Sequence, residues 1–468
     1  MPAMSTVTVL GAGLTGLTTA LLLARDGHDV TVLERDPAPP PADPLAWQRR
    51  GVAQFRLLHI MLPRWRAVMA AELPEVLDAL VAAGGVRTNL LHLRPPAATG
   101  GRREGDERFD VVTGRRPVVE AAVAAIAERA GGIRILRGVA VDALLADASG
   151  AVPHVTGVRA GGRELASDVV VDALGRRSPV AGWVGALGGR PPARERADLG
   201  FVYYARHFRA ASGVTPTGLD AALTHHDSVS VLTLPADNGV HGVAITASAR
   251  DRELRGLRDP ACWDAAIRLF DATAPWLDGE PVTGVDVMAG IEDRHQEYVV
   301  DGTPVVTGLV AVGDAWACTN PSLGRGASMG AVHAQLLRDV LAAHGTDDAD
   351  TLVRAFADAT ATTLTPYLDS TLVFDRHRLA EIEAEIAGMP YRTDDRGWAV
   401  STALAAGAAV DPELARVHTM IGGMLATPGE VFSDAAVTGR VLEHAGPPRR
   451  VGGPTREELV ATVAGTRV

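Results

Sequence analysis

Lysine is absent from this chain: all 45 basic residues are arginine. An arginine stays protonated and serves neither as an amine nucleophile nor as a poised base, so mechanisms built on a catalytic amine are excluded. Cysteine is nearly absent as well. The two that occur, Cys262 and Cys318, form neither a metal-ligand pattern nor a disulfide framework, and read as buried thiols in a reducing compartment, with no metal expected. No apolar run approaches the ~18 residues that a membrane helix needs, the longest candidate being 398–410. Clustered arginines with interleaved aromatics are missing, and a net charge of −11 disfavours phosphate backbones and anionic membranes. Neither nucleic acid nor membrane insertion is therefore expected. The first apolar run begins within a few residues of Met1, which leaves no room for a secretory leader, so the expected location is cytoplasmic.

What is present is a complete nucleotide-binding unit at residues 7–35. Val7, Val9 and Leu10 form an apolar run too short for a helix, and Gly11-Ala12-Gly13-Leu14-Thr15-Gly16 follows where a βαβ unit turns sharply. Gly11 permits the turn, Gly13 lets a diphosphate approach the backbone, and Gly16 lets the following helix pack closely on the sheet. The helix N-terminus, at Leu14 and Thr15, faces the phosphates with unpaired N–H groups and a partial positive charge. Gly27 ends the helix. Val30 to Leu33 returns as a strand, and Glu34 stands 18 residues past Gly16, where a carboxylate accepts from ribose hydroxyls. This unit alone does not separate FAD from NAD.

Further along, residues 47–56, with Arg50 and Gln54, read as a loop over the cofactor. Residues 62–83 read as a helical pair broken at Pro74, and Arg116-Pro117 opens another helix. Short strands are expected at 133–136, 139–145 and 155–160, and a buried one at 166–174 that runs into Asp172-Ala173-Leu174-Gly175-Arg176-Arg177-Ser178-Pro179. Between about 199 and 301 the pattern changes to antiparallel strands, with a hairpin turn at 235–239. Residues 309–314 read as a buried strand ending on Asp314, followed by a glycine-rich loop and a helix from 330 to 343. The remainder is helical. The expected fold is α/β: a Rossmann-like dinucleotide domain over 1–198 that returns over 302–345, an inserted β-rich substrate domain over 199–301 and a helical C-terminal region over 346–468. Residues 86–113 are expected to reach into the substrate domain.

Four segments stand in a fixed order: GAGLTG with Glu34, Arg116 at a helix start, DALGRRSP, and VAVGDAWACTNPSLGRGASMG. Together, over about residues 5 to 345, they resemble the FAD-dependent monooxygenases of the p-hydroxybenzoate hydroxylase type. Within that group they are most similar to the squalene-epoxidase-like oxidoreductases of bacterial natural-product pathways. The resemblance implies FAD as cofactor, with the Asp314 carboxylate on the ribityl chain. It implies a loop shaped by Pro321, Gly324 and Gly326 whose N–H groups face the flavin N1–C2 edge, and a cofactor contact from Arg116. The cofactor-binding set it implies, taken with the residues above, is Gly11, Gly13, Leu14, Thr15, Gly16, Glu34, Arg35, Arg50, Gln54, Arg116, Val139, Asp172, Gly175, Gly313, Asp314, Gly324, Gly326, Ala327 and Ser328. A second arginine that the family carries further along the Arg116 helix is replaced here by Ala124.

The activity implied is insertion of one oxygen atom from O2 into a small organic substrate, by epoxidation or hydroxylation through a flavin C4a-hydroperoxide, in secondary metabolism. The alternative is a dehydrogenase or reductase of C–C bonds without oxygen insertion. Relatives that bind NAD(P)H carry Asp-Gly where Asp172-Ala173 stands, so electrons come either from NAD(P)H or from a separate flavin reductase. Candidate catalytic residues are Pro321 and Gly324 in the loop, and Tyr203 and His226 in the β-rich part, chosen from Tyr203, Tyr204, His207, His225 and His226. Strand alternation allows only one of Tyr203 and Tyr204 to face the flavin.

Overall fold

The computed structural model describes residues 4–49, 51–52, 54–198, 200–211, 213, 215–216, 221–446 and 452–466. Strand β1 (Thr6–Leu10) leads through helix α1 (Leu14–Arg25) to β2 (Asp29–Glu34), and the strands pair in parallel with Leu10 opposite Leu33. Gly27, at φ +92°, closes the helix: its own N–H and that of His28 donate to the carbonyls of Ala24 and Leu23. Two helices follow, α2 (Pro63–Glu72) and α3 (Pro74–Ala82), divided at Pro74 as expected. The hairpin of β3 (Val86–Asn89) and β4 (Asp110–Thr113) then precedes α4 (Arg116–Ala127) and β5 (Ile133–Arg137).

The segment expected as one strand over 166–174 divides. Residues up to Ala166 finish a three-stranded antiparallel sheet, and only β6 (Val169–Asp172) enters the parallel one. Asp168 stands at the break: its carboxylate accepts from the N–H and hydroxyl of Thr6 at 2.7 and 2.9 Å, which fixes the chain at the amino end of β1.

The β-rich part is a six-stranded antiparallel sheet that includes β7 (Phe201–Ala210), β8 (Val229–Pro235) and β9 (Val240–Ser248). Alternation along β7 sends Phe201, Tyr203 and Ala205 to one core and Val202, Tyr204 and Phe208 to the other. The chain then returns: β10 (Leu309–Ala311) pairs in parallel with β6, completing a sheet of order β10-β6-β1-β2-β5 in which every pairing is parallel. Val7, Val9, Val30, Val32 and Val169 to Val171 are all buried, as strands covered on both faces must be.

Helix α5 (Gly326–His344) packs on α1, and it starts four residues earlier than the sequence pattern indicates. The C-terminal region is helical and includes α6 (Thr365–Ile386), α7 (Arg396–Gly407) and α8 (Pro412–Gly422). Leu379 and Ile382 of α6 pack against the Tyr203 side of β7, and Arg416 of α8 pairs with buried Asp106 at 2.7 Å. Among the described residues no helix is long and apolar enough to cross a membrane, and no group of three or more His, Cys, Asp or Glu residues is placed to hold a metal.

Candidate active site

A cavity of about 1230 Å3 opens at the carboxyl ends of the parallel strands. Gly11 after β1, Glu34 at the end of β2, Val139 after β5, Ala173 after β6 and Gly313 after β10 all line it. β1 is where the strand order reverses, and an open α/β sheet binds ligands outside the strand ends at that point. The volume exceeds the about 300–1,000 Å3 of ordinary small-molecule pockets, so the cavity has room for a large ligand and a second one beside it.

The glycine turn has the shape its sequence suggests. A Cβ on Gly16 would lie 2.0 Å from the Gly11 carbonyl oxygen, whereas a Cβ on Gly13 would meet nothing within 4 Å. Gly16 is thus a packing residue, and Gly13 leaves the approach open. No side chain caps α1, so its first N–H groups remain available at a wall formed by Gly13, Leu14 and Thr15.

Glu34 meets a network that the sequence did not disclose. Its Oε2 accepts from the Ala12 N–H at 3.0 Å and from Arg49 Nη2 at 2.5 Å, while Oε1 accepts from the Asp36 N–H at 3.0 Å. Arg49 also donates to the Ala12 carbonyl at 3.1 Å and to Glu120 Oε2 at 2.7 Å, and Arg116 Nε holds the other Glu120 oxygen at 2.5 Å. Burial works to raise the Glu120 pKa, but the two guanidiniums outweigh it and hold the group below the usual carboxylate range. Arg49 carries this network; Arg50 lies outside the described residues. Arg35, Gln54 and Arg116 line the same end of the cavity.

Along the wall, Asp314 presents a carboxylate that makes no hydrogen bond to another described residue, and a Cβ on Gly326 would come within 3.7 Å of it. Burial raises its pKa against the pull of Arg116, Arg176 and Arg294. A desolvated carboxylate at a cavity wall is completed by ligand hydroxyls, which fits the ribityl chain of FAD. The turn behind it is held by His333, whose Nδ1 accepts from the Gly313 N–H at 3.1 Å while Nε2 donates to Thr360 at 3.1 Å. Burial lowers the His333 pKa to about 3. Pro321, Gly324, Gly326 and Ala327 continue the wall to the N-terminus of α5.

Tyr203 closes this side of the cavity. Its hydroxyl donates to Asn320 Oδ1 and is bonded to the Ser322 hydroxyl, and burial drives its pKa up, so it stays a neutral phenol. Asn320 in turn donates through Nδ2 to Asp375 of α6 at 2.7 Å. His59, neutral because burial and then Arg116 lower its pKa to about 4, also lines the cavity.

Four sequence candidates stand elsewhere. His226 is off the wall and packs its ring 4.6 Å from that of Phe270, while His225 faces the cavity, because neighbouring residues of an extended segment point oppositely. Asp172 is fully buried beneath its turn, accepting from Ser178 Oγ at 2.6 Å and the Leu174 N–H at 3.0 Å, with burial raising its pKa to about 6. Gly175, at the turn's tip, does line the cavity. Gly16 and Ser328 sit behind the wall, Ser328 on the buried face of α5.

The C-terminal helices, which carry no motif, supply a large share of the enclosure: Ser370 and Phe374 from α6, Trp398 and Leu404 from α7, His418 and Ile421 from α8.

Residues 6–44 match the family model described as FAD dependent oxidoreductase. Protein Rv3254 of Mycobacterium tuberculosis is 28% identical over 386 residues, which cover 76% of this chain and 77% of that protein. Among solved structures, PqsL, a probable FAD-dependent monooxygenase from Pseudomonas aeruginosa, superposes with a TM-score of 0.59 at 20% identity over 81% of this chain and 97% of its own. PyrE3, the Diels-Alderase of the pyrroindomycin pathway, does so with a TM-score of 0.59 at 18% identity over 89% and 80%. At these identities the structural likeness is one of fold.

Proposed function

Starting from an FAD-dependent oxidoreductase with the fold of the flavin monooxygenases, we propose that this chain inserts one atom of O2 into a small organic substrate, by epoxidation or hydroxylation. The other atom leaves as water. One observation carries the reading. One cavity is lined at once by Gly13 and Glu34, by residues 319–327 at the α5 N-terminus, and by apolar residues of α6 and α7 such as Phe374, Trp398 and Leu404.

FAD, when bound, supplies the redox chemistry and the activation of O2. The chain does the rest. Gly13 and the α1 N-terminus receive the diphosphate, Asp314 accepts from ribityl hydroxyls, and the α5 N-terminus favours negative charge on the adjoining group. Tyr203, bonded to Asn320 and Ser322, fixes the loop and keeps a neutral hydroxyl at the chamber edge. The apolar residues of α6 and α7 exclude water, which limits wasteful loss of reduced oxygen.

Fold alone does not choose the reaction, since PyrE3 is a Diels-Alderase. A C–C dehydrogenase would use the same cofactor end, but it has no need of a chamber dry enough to protect activated oxygen. Asp172, lying buried beneath its turn, supports a separate flavin reductase as electron source over direct NAD(P)H docking on that segment. The reading is tested by reducing the bound FAD, admitting O2 with candidate substrates and weighing the products. A product one oxygen atom heavier than its substrate supports it, and one lacking only two hydrogens overturns it.

A further inference from the structure

We infer that Arg94 and His418 form a head-group anchor in the lobe of the cavity walled by the C-terminal helices, and that the ligand it takes is an elongated apolar molecule ending in a carboxylate. The assignment rests on the proposed function only in treating this ligand as the substrate.

Arg94 follows the turn Leu91–Leu93, is 9% exposed and lies on the cavity wall. Its Nη1 donates at 3.1 Å to the carbonyl of Ala408, the capping residue that follows α7, and its Nη2 donates at 3.1 Å to His418 Nδ1. Capping an orphan carbonyl at a helix end accounts for the first bond. The second does more. A guanidinium has donors only, so Nδ1 must be the lone-pair nitrogen, and the single ring proton is held on Nε2. Burial, and then the nearby Arg94 charge, lower the His418 pKa to about 3, which keeps the ring neutral.

With Nδ1 taken, the part of the ring left to the cavity carries an N–H donor of fixed direction. The cavity lining that the same segments contribute includes Leu90, Leu93, Leu404, Ala405, Ala409 and Ile421, with Thr402 and Thr419 among them. A polar donor set in an apolar surface orients a ligand by one group and leaves its body to hydrophobic contact. Backed by a guanidinium, that donor selects an anionic oxygen over a hydrocarbon end or an ammonium.

The holoprotein is titrated with dodecanoate and with dodecylammonium, which share a tail and differ in head charge, and binding is read from the change in flavin absorbance without turnover. Oxygen insertion is measured separately, so its failure and the failure of the anchor are distinguishable. The anchor predicts at least tenfold tighter binding of dodecanoate. His418→Phe should cost dodecanoate at least tenfold and leave dodecylammonium within about twofold. His418→Gln, which can accept from Arg94 through Oε1 and donate through Nε2, should recover most of the loss. Equal affinities in the unmodified protein, no binding of dodecanoate, or an equal loss of both probes in His418→Phe would overturn the assignment. Should His418→Phe not retain FAD, the ratio of the two affinities in the unmodified protein decides.

Discussion

Tyr203 donates its phenolic hydrogen to Oδ1 of Asn320, joining strand β7 of the antiparallel sheet to the loop that follows Asp314. The Asn320 Nδ2 group donates to Asp375 at 2.7 Å and to Ser322 at 3.1 Å, and its backbone N–H to Asp293 at 3.0 Å. Burial, and then the neighbouring Asp293, push the Asp375 pKa well above the carboxylate range. One amide therefore ties three elements together at the chamber edge. Tyr203→Phe keeps the ring but leaves the buried Asn320 oxygen short of a donor, which costs on the order of 1–3 kcal/mol. We expect lower thermal stability, retained FAD and reduced product yield per electron consumed. An unchanged yield would show that the hydroxyl serves packing alone.

Asp314→Ala removes the carboxylate that no other described residue engages. FAD affinity should fall by the value of a charge-assisted hydrogen bond, on the order of 1.5–3 kcal/mol, or about ten- to a hundredfold. Equilibrium dialysis of FAD checks this, and equal dissociation constants would place Asp314 away from the cofactor.

Arg49 has a different role. It is buried, 6% exposed at the side chain, and bridges Glu34 to Glu120. Removing one member of such a pair leaves uncompensated charge and costs about 3–5 kcal/mol. Arg49→Met should lower the unfolding free energy, read from denaturant titration, by that amount even without FAD. Glu120→Gln, which keeps two hydrogen-bonding atoms, should cost less. If Arg49→Met affects FAD affinity and not the apoprotein, the arginine is a ligand contact and not a structural bridge.

The pH dependence of stability has a sign set by His333. Its folded pKa of about 3 lies below the ordinary value of 6.5. The neutral ring's contribution is therefore complete above pH 6.5 and is lost as pH falls through 3. At about 1.4 kcal/mol per pH unit, this one group removes on the order of 3 kcal/mol between pH 6.5 and 4. His333→Asn retains an acceptor for the Gly313 N–H and has nothing to titrate. Its unfolding free energy should decline less steeply over that interval, and parallel curves would contradict the assignment.

The placing of the glycine turn and Glu34 at one end of the cavity was legible because its determinants are local. Gly11, Gly13 and Gly16 act within one turn, and Glu34 ends the next strand, so spacing alone places them. Asp314 and the 321–327 loop were indicated by the family resemblance and not by spacing. The inward turn of Arg49 was not legible, since an irregular loop has no periodicity that says which of its side chains turns inward. Glu120, four residues after Arg116 on one helix, did leave a signal in the i, i+4 rule. His225 and His226 differ only in which face an extended segment turns to the cavity. Asp375 and His418 lie in a C-terminal region whose sequence reads only as helical and without a catalytic cluster, and their contacts arise only when those helices meet Asn320 and Arg94.

The source of electrons separates two versions of the account. With Asp172 buried beneath its turn and not at the cavity wall, NAD(P)H alone should reduce the bound FAD slowly, and a flavin reductase or dithionite should do so readily. Anaerobic stopped-flow at the flavin absorbance band measures both. Rapid reduction by NAD(P)H would remove the separate reductase and leave the oxygen chemistry untouched.

The most direct test follows the oxygen itself. The reduced holoprotein is mixed with substrate and isotope-labelled dioxygen in unlabelled water, and the product is examined by mass spectrometry. Insertion predicts one labelled atom per product molecule and none from solvent; label found only in peroxide and water, beside a product without new oxygen, would contradict it.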